Sequence, residues 1–313
     1  MRLLVALVVL TASQCWAQYP ARTVRMVVGF APGGGTDIVA RLLSQRLTER
    51  WSQPVVVENR LGASGNIAAE MVAKSAPDGY TLLHAFSSHA SNAALSKLPF
   101  DITKDFSAIS LVASGPAVIL AHPAAAKTLS ELIAYAKAHP GAIKYGSSGV
   151  GTPVHLAGEL MQQLTASEMV HVPYKGIAPA MTAILAGDIQ LTYATPLSAA
   201  AHLKSGRLAA LAVAGQSRFA TLPDVPTAAE AGLPGYEIEF WYALLGPAGM
   251  PAALVDRVQR DVAAIVTAPD MKENLLAQGA IAIGSKPQEL NALITREYTR
   301  WIDVVKTRGV KAE

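Results

Sequence analysis

Two stretches of this chain join a glycine cluster to the start of an amphipathic segment, an arrangement that can bind an anion without a lysine or arginine. The first runs Val28-Gly29-Phe30-Ala31-Pro32-Gly33-Gly34-Gly35-Thr36-Asp37. Glycines let the backbone turn sharply and approach a ligand closely. The first N–H groups of a helix lack intrahelical partners and lie at the positive end of its dipole, so they attract a carboxylate. Phe30, Ala31, Gly33, Gly34, Gly35, Thr36 and Asp37 are therefore candidate ligand contacts. The plainer reading is a tight turn with Thr36 or Asp37 as helix cap. Three successive glycines exceed what a cap requires. The second stretch is Tyr145-Gly146-Ser147-Ser148-Gly149-Val150-Gly151-Thr152-Pro153, with Thr152 as N-cap and Pro153 at the first helical position. Here Ser147, Ser148 and Thr152 add hydroxyls to the N–H groups of Gly149 and Gly151. Two such loops could converge on one anion across a cleft, or be two unrelated turns.

Better-known chemistries fail at required residues. Gly29 and Gly34 have the spacing of a phosphate-binding P-loop, but Gly35 stands at its lysine position. Gly149 and Gly151 begin a dinucleotide fingerprint that Val154 breaks. No serine sits in Gly-x-Ser-x-Gly, because Ser147 and Ser148 have the wrong spacing. The seven histidines are scattered without metal-ligand spacing, so neither a metal nor another cofactor is expected. His155, in the first turn after Thr152, is a ligand donor or a capping and packing residue. Val172-Pro173-Tyr174-Lys175-Gly176 forms a further strand-to-helix loop in which Tyr174, Lys175 and Gly176 can face a ligand; Lys175 also reads as a solvated charge. Thr195 and Pro196, with Tyr193, end another strand and are candidates for the same cleft. Phe240, Trp241 and Tyr242 read as core or hinge packing.

The elements that must position these loops alternate between strand and helix. Val24 to Phe30, Pro54 to Glu58, Tyr80 to Ala85, Ala117 to Ala121, Lys144 to Gly146, Val170 to Val172, Ile189 to Ala194 and Leu208 to Ala214 read as strands. Ile38 to Trp51, Asn66 to Ser75, Leu129 to Ala138, Val154 to Leu164, Ala178 to Ala186 and Ala252 to Val266 read as helices. That alternation predicts α/β architecture with mainly parallel sheets flanked by helices, and ligands bind beyond the carboxyl ends of such strands. No short internal repeat is visible. Residues 1–17, with Arg2 and an apolar run of about ten residues, read as a cleaved export signal, since a membrane span needs roughly 20. The only cysteine, Cys15, lies inside it, so the mature chain must rely on its core. Hydrophobic residues make up 51% of the chain and the net charge is +3, without a basic run suited to nucleic acid. Composition shifts near 114–116 and 233–235 divide the mature chain into residues 18–116, an inserted segment 117–237, and a return over 238–313.

Gly-Phe-Ala-Pro-Gly-Gly-Gly-Thr-Asp at 29–37, Tyr-Gly-Ser-Ser-Gly-Val-Gly-Thr-Pro-Val-His at 145–155 and Val-Pro-Tyr-Lys-Gly at 172–176 together resemble the Bug family of solute-binding proteins. The likeness continues through Glu58-Asn59-Arg60, 222–227 and 246–251. It implies a periplasmic, two-lobed type II "Venus flytrap", monomeric and non-enzymatic. It implies a carboxylate held by the loops before Asp37 and His155, and delivery to the membrane subunits of a tripartite tricarboxylate transporter. The alternative partner is a sensor kinase ectodomain; a periplasmic hydrolase or isomerase is a third reading. Thr152 stands where many relatives have serine, and Ser91-Asn92-Ala93-Ala94-Leu95 only partly matches an Asn-Pro-x-Leu pattern.

Overall fold

The computed structural model describes residues 19–174 and 176–311; the expected export signal and Lys175 lie outside the described residues. The first run of elements is β1 (Val24–Val28), α1 (Gly35–Trp51), β2 (Val55–Asn59), α2 (Asn66–Ala73), β3 (Thr81–Phe86), α3 (Ser88–Leu95) and β4 (Phe106–Pro116). The second is β5 (Val118–Ala121), α4 (Leu129–Ala138), β6 (Lys144–Ser147), α5 (Pro153–Thr165), β7 (Val170–Pro173), α6 (Ile177–Ala186), β8 (Leu191–Ala194), α7 (Pro196–Lys204) and β9 (Ala209–Val213). The chain then returns through β10 (Glu239–Pro247), α8 (Ala252–Val266), α9 (Pro269–Ala277), β11 (Ile281–Ala282) and α10 (Pro287–Arg308).

These strands form two sheets, ordered β11-β4-β10-β3-β1-β2 and β7-β6-β8-β5-β9. With β11 set aside, each sheet places its first three βα strands in the order second, first, third, followed by one strand that runs antiparallel to them. The halves thus share a topology that leaves no repeat in the sequence. The α/β two-lobed expectation holds, and the sheets are mixed rather than mainly parallel. Parallel ladders between the named strands are confined to β2-β1-β3 and to β7-β6-β8. The pairings made by β10 and by β5 are antiparallel, because these strands enter their sheets by crossing from the other half instead of through a βα connection.

Each sheet is covered on both faces. Val39, Leu43 and Leu47 of α1 and Val258 and Val262 of α8 pack one face of the first sheet; Ala68 and Val72 of α2 and Leu290 and Leu293 of α10 pack the other. Fully burying a leucine such as Leu43 contributes about 2 kcal/mol. In the second sheet α4 and α5 cover one face, and α6 and α7 cover the other. α10 belongs to both halves, since Trp301 and Val304 at its far end enter the core of the second sheet. The crossings are also tied by backbone bonds, with the Ala117 N–H donating to the Ile238 carbonyl at 2.9 Å and the Ala214 N–H to the Ala117 carbonyl at 2.8 Å.

Candidate ligand-binding cleft

The parallel strands β1, β2 and β3 end where the loops to α1, α2 and α3 begin, and β6, β7 and β8 end where the loops to α5, α6 and α7 begin. The two carboxyl edges meet. Ser91 Oγ of α3 donates to the Gly151 carbonyl at 2.8 Å, joining the first half to the second glycine loop. A Cβ at Gly151 would lie 2.8 Å from both Asn92 Oδ1 and Leu95 Cδ2, and the residue has φ +75, so only glycine fits without strain.

In the first loop, Gly33, Gly34 and Gly35 are exposed whereas Thr36 and Asp37 are buried. Gly34 is the N-cap of α1 and supplies no capping side chain, and the N–H groups of Gly35, Thr36 and Asp37 have no acceptor among the described residues. The Asp37 carboxylate fastens the loop instead. Its Oδ2 accepts from the Gly33 N–H at 2.9 Å and from Arg41 Nε at 2.8 Å, and its Oδ1 accepts from Asn59 Nδ2 at 2.8 Å. Burial alone would raise the Asp37 pKa; the hydrogen bonds from Arg41, Gly33 and Asn59 outweigh it and hold the group below its ordinary value. Asn59 Nδ2 also donates to the Phe30 carbonyl at 2.8 Å. The loop lies tight against the turn before α2, where a Cβ at Gly29 would come within 2.4 Å of Gly65 Cα.

The second loop is tied to itself. The Gly149 N–H donates to Ser147 Oγ at 3.1 Å, the Gly151 N–H to His155 Nδ1 at 3.1 Å, and Thr152 Oγ1 to the Gly149 carbonyl at 2.7 Å. Pro153 has no N–H, and the His155 N–H donates to Thr152 Oγ1 at 3.4 Å, so Val154 is the one amide in the first turn of α5 without an acceptor among the described residues. His155 is buried and stacks on His171 at 3.8 Å, and His171 Nε2 shares a 2.6 Å hydrogen bond with Ser147 Oγ. Burial, with the neighbouring His155, pushes the His171 pKa down to about 3. A serine beside an imidazole is also the pairing used in nucleophilic catalysis. Ser147 is wholly buried and its hydroxyl also meets the Gly149 carbonyl at 3.1 Å, which makes the pair a wall rather than an attacking group.

Of the remaining candidates, Tyr174 is half-buried beside the second loop, its N–H donating to the Ser147 carbonyl at 3.0 Å. Gly176 is the N-cap of α6, and Thr195 is the N-cap of α7 with Pro196 following it. Phe30 to Asp37 thus form one group on the first half, and Ser147 to His155 with Tyr174 and Gly176 form another on the second. Sequence reasoning did not name Asn59, Phe86, His89 or Ser91 as contacts, although Asn59 and Ser91 fall in segments that bear on the family likeness; Asn59 and Phe86 end β2 and β3, and His89 and Ser91 lie in α3 just after β3. His89 Nδ1 accepts from the Phe86 N–H at 3.1 Å and its Nε2 faces the Gly65 carbonyl at 3.3 Å, bracing the adjacent turns. The rule that ligands gather at carboxyl strand ends could have found all four. Tyr242, read as packing, is buried, and its hydroxyl lies 3.1 Å from the position of a Cβ on Gly35, beneath the first loop.

Residues 39–310 match the model of the tripartite tricarboxylate transporter family receptor. The chain is 36% identical over 297 residues to protein BugT of Bordetella pertussis, covering 94% of this chain and 91% of that protein. It superposes on R. palustris Rpa4515 with adipate at a TM-score of 0.86, with 35% identity over 94% of this chain and 99% of that one. It superposes on MatC (Rpa3494) from Rhodopseudomonas palustris with bound malate at 0.82, with 34% identity over 92% and 100% of the two chains.

Proposed function

This chain belongs to the tripartite tricarboxylate transporter receptor family, and from that premise we propose that it captures a small carboxylate between two lobes and delivers it to the transporter's membrane subunits. The lobes in this reading are residues 18–116 with 238–313, and residues 117–237. The observation that carries it is the first turn of α1, where the N–H groups of Gly35, Thr36 and Asp37 are unused beside an exposed glycine run. Aligned amides and the helix dipole stabilise an anion there without a counter-cation. Arg41, already bonded to Asp37, offsets the one negative charge built into the loop.

Phe30, Ala31, Gly33, Gly34, Gly35 and Thr36 would hold the carboxylate from the first lobe. Ser148, Gly149, Gly151, Thr152, Tyr174 and Gly176 would close over it from the second, with Thr195 and Pro196 at the margin; Lys175, also a candidate from its loop in the sequence, lies outside the described residues. Asp37, Ser147 and His155 shape the loops by the hydrogen bonds described above. Each lobe offers half a site in the open form, so the ligand favours the closed form through contacts completed only there. Binding without turnover, in the periplasm and by a monomer, follows from the same reading.

The test is native mass spectrometry of freshly purified mature protein, followed by thermal shift with mono-, di- and tricarboxylates. A carboxylate that raises the melting temperature and is recovered unchanged is the expected result. Stabilisation by neutral compounds alone, or conversion of the bound acid, would refute it.

A further inference from the structure

We propose that the half of the molecule built on β1 carries a second anion site, an arginine pocket for a phosphate group on the side away from the glycine loops. The pocket has a volume of about 400 Å³ and is lined by Arg50, Trp51, Arg257, Arg260 and Asp261. Arg50 and Trp51 end α1, while the other three lie within one or two turns of α8. Tyr19 meets Trp51 edge-on at 5.6 Å and donates its hydroxyl to the Gly79 carbonyl just before β3, which sets the pocket at the amino edge of the parallel strands. The 17 residues of α1 separate it from the Gly35 turn by roughly 25 Å. One small ligand cannot reach both.

The charge of this pocket is not balanced from within. Arg22, Arg25, Arg41, Arg46, Arg218 and Arg308 each face a carboxylate elsewhere in the structure. Here three guanidinium groups meet one carboxylate, and both of its oxygens are occupied. Asp261 Oδ1 accepts from Arg50 Nε at 2.5 Å, and Oδ2 accepts from Trp51 Nε1 at 2.7 Å. Of the three arginines, only Arg50 forms an ion pair among the described residues. Arg257 is half-buried, so its charge is screened less than one standing fully in water.

Like charges gathered by a fold repel, and an anion placed among them relieves the repulsion. Guanidinium suits phosphate in particular, because its planar fork gives two parallel N–H bonds to two oxygens and is weakly hydrated. A carboxylate fills one such fork with its two oxygens. Phosphate has oxygens left for the second, so Arg257 and Arg260 can share it while Arg50 stays fixed on Asp261. The negative end of the α1 dipole also faces this region, and Arg50 in its last turn offsets it. Inorganic phosphate and the headgroup of an anionic phospholipid offer the same chemistry.

The test is calorimetry with inorganic phosphate and sedimentation with phosphatidylglycerol vesicles, both in low-salt buffer, on the wild type, Arg260→Gln and Arg257→Gln/Arg260→Gln. At least one probe should bind the wild type, the double variant should lose at least about tenfold, and the single variant should lie between. Binding of phosphate without vesicles identifies the free anion as occupant, and binding of vesicles without phosphate identifies the headgroup. Arg260 is exposed, so its single variant keeps the test intact if the double variant does not fold. Equal binding to phosphatidylcholine vesicles, wild-type affinity in the Arg260→Gln variant, or silence from both probes overturns the site. None of these results bears on the carboxylate cleft.

Discussion

The two glycine-rich loops hold equivalent places, each following the first strand of a parallel run and opening a long helix, yet they use their amides differently. The first turn of α1 keeps three N–H groups without acceptors, and its loop is fastened by one carboxylate, Asp37. The first turn of α5 keeps one, because Pro153 lacks the group and Thr152 Oγ1 takes the His155 N–H. Ser147 and His155 consume two more amides just before it. Similar glycine content therefore goes with two backbone states: amides left open at the start of α1, and amides of Gly149 and Gly151 turned inward before α5. Glycine in a sequence reports backbone freedom. It does not report which amides a later side chain has already satisfied.

The strongest way to break this contrast is to remove the fastening of the open loop. Asp37→Ala removes the buried acceptor shared by the Gly33 amide, Arg41 and Asn59; Gly33 and Arg41 are exposed and can turn to water, so the change should cost about 2 kcal/mol of stability in a denaturant titration. A loss below about 1 kcal/mol would mean that the loop holds its shape without Asp37. Gly34→Val attacks the open amides and spares the fold. Gly34 has φ −77 and ψ 163, open to any residue, and the nearest atom to a new Cβ is the Ala31 carbonyl oxygen at 3.5 Å. Stability should move by less than about 1 kcal/mol while carboxylate affinity falls about tenfold.

The opposite pattern belongs to the wall. Thr152→Ala removes a buried cap and should cost about 1 kcal/mol of stability with less than a roughly threefold change in affinity. Equal affinity losses at Gly34 and Thr152, measured by calorimetry, would erase the distinction between the loops.

Both loops and most βα units were legible because each carries a local signal: a glycine cluster, a Thr-Pro cap, or an amphipathic run with Leu43 and Leu47 on one face. β4, β10 and α10 were not. Phe240 to Leu245 of β10 is buried on both faces, so it shows no alternation, and its partners β3 and β4 lie far off in sequence. The apolar residues of α10 divide between two cores, Leu290 and Leu293 to the first and Trp301 and Val304 to the second, which only the folded arrangement explains. At the site, Gly33 to Asp37 could be read as an anion cradle. The self-closure of the second loop could not, because it depends on the side chains of Ser147 and His155 folding back onto the Gly149 and Gly151 amides, with His171 brought beside both of them by the β6–β7 pairing.

Acid offers the finest test of the contrast, since the two loops depend on groups that titrate in different windows. His155 and His171 in the wall both have lowered pKa values; burial is the main cause for each, and His171 reaches about 3. An unfolded histidine titrates near 6.5, so below that pH the unfolded chain binds protons that the native wall refuses. Their contribution is complete above about pH 6.5 and is lost as pH falls toward 3. Asp37 follows the same sign in a lower window, because its lowered pKa keeps its contribution intact until pH drops through the carboxylate range, below the ordinary value of 3.8. His84 and His89 in the first lobe are also lowered by burial, so global stability will fall as well, and the readout must be local. Amide exchange followed from pH 7.5 to 5, with intrinsic pH dependence removed, should show protection lost at Gly149 and Gly151 before it is lost at Gly33. At pH 6 the loss should be slight, as protonating the native wall is still disfavoured and only the unfolded chain gains. Simultaneous loss at all three amides would mean that the loops open together, and that the wall owes nothing of its own to neutral His155 and His171.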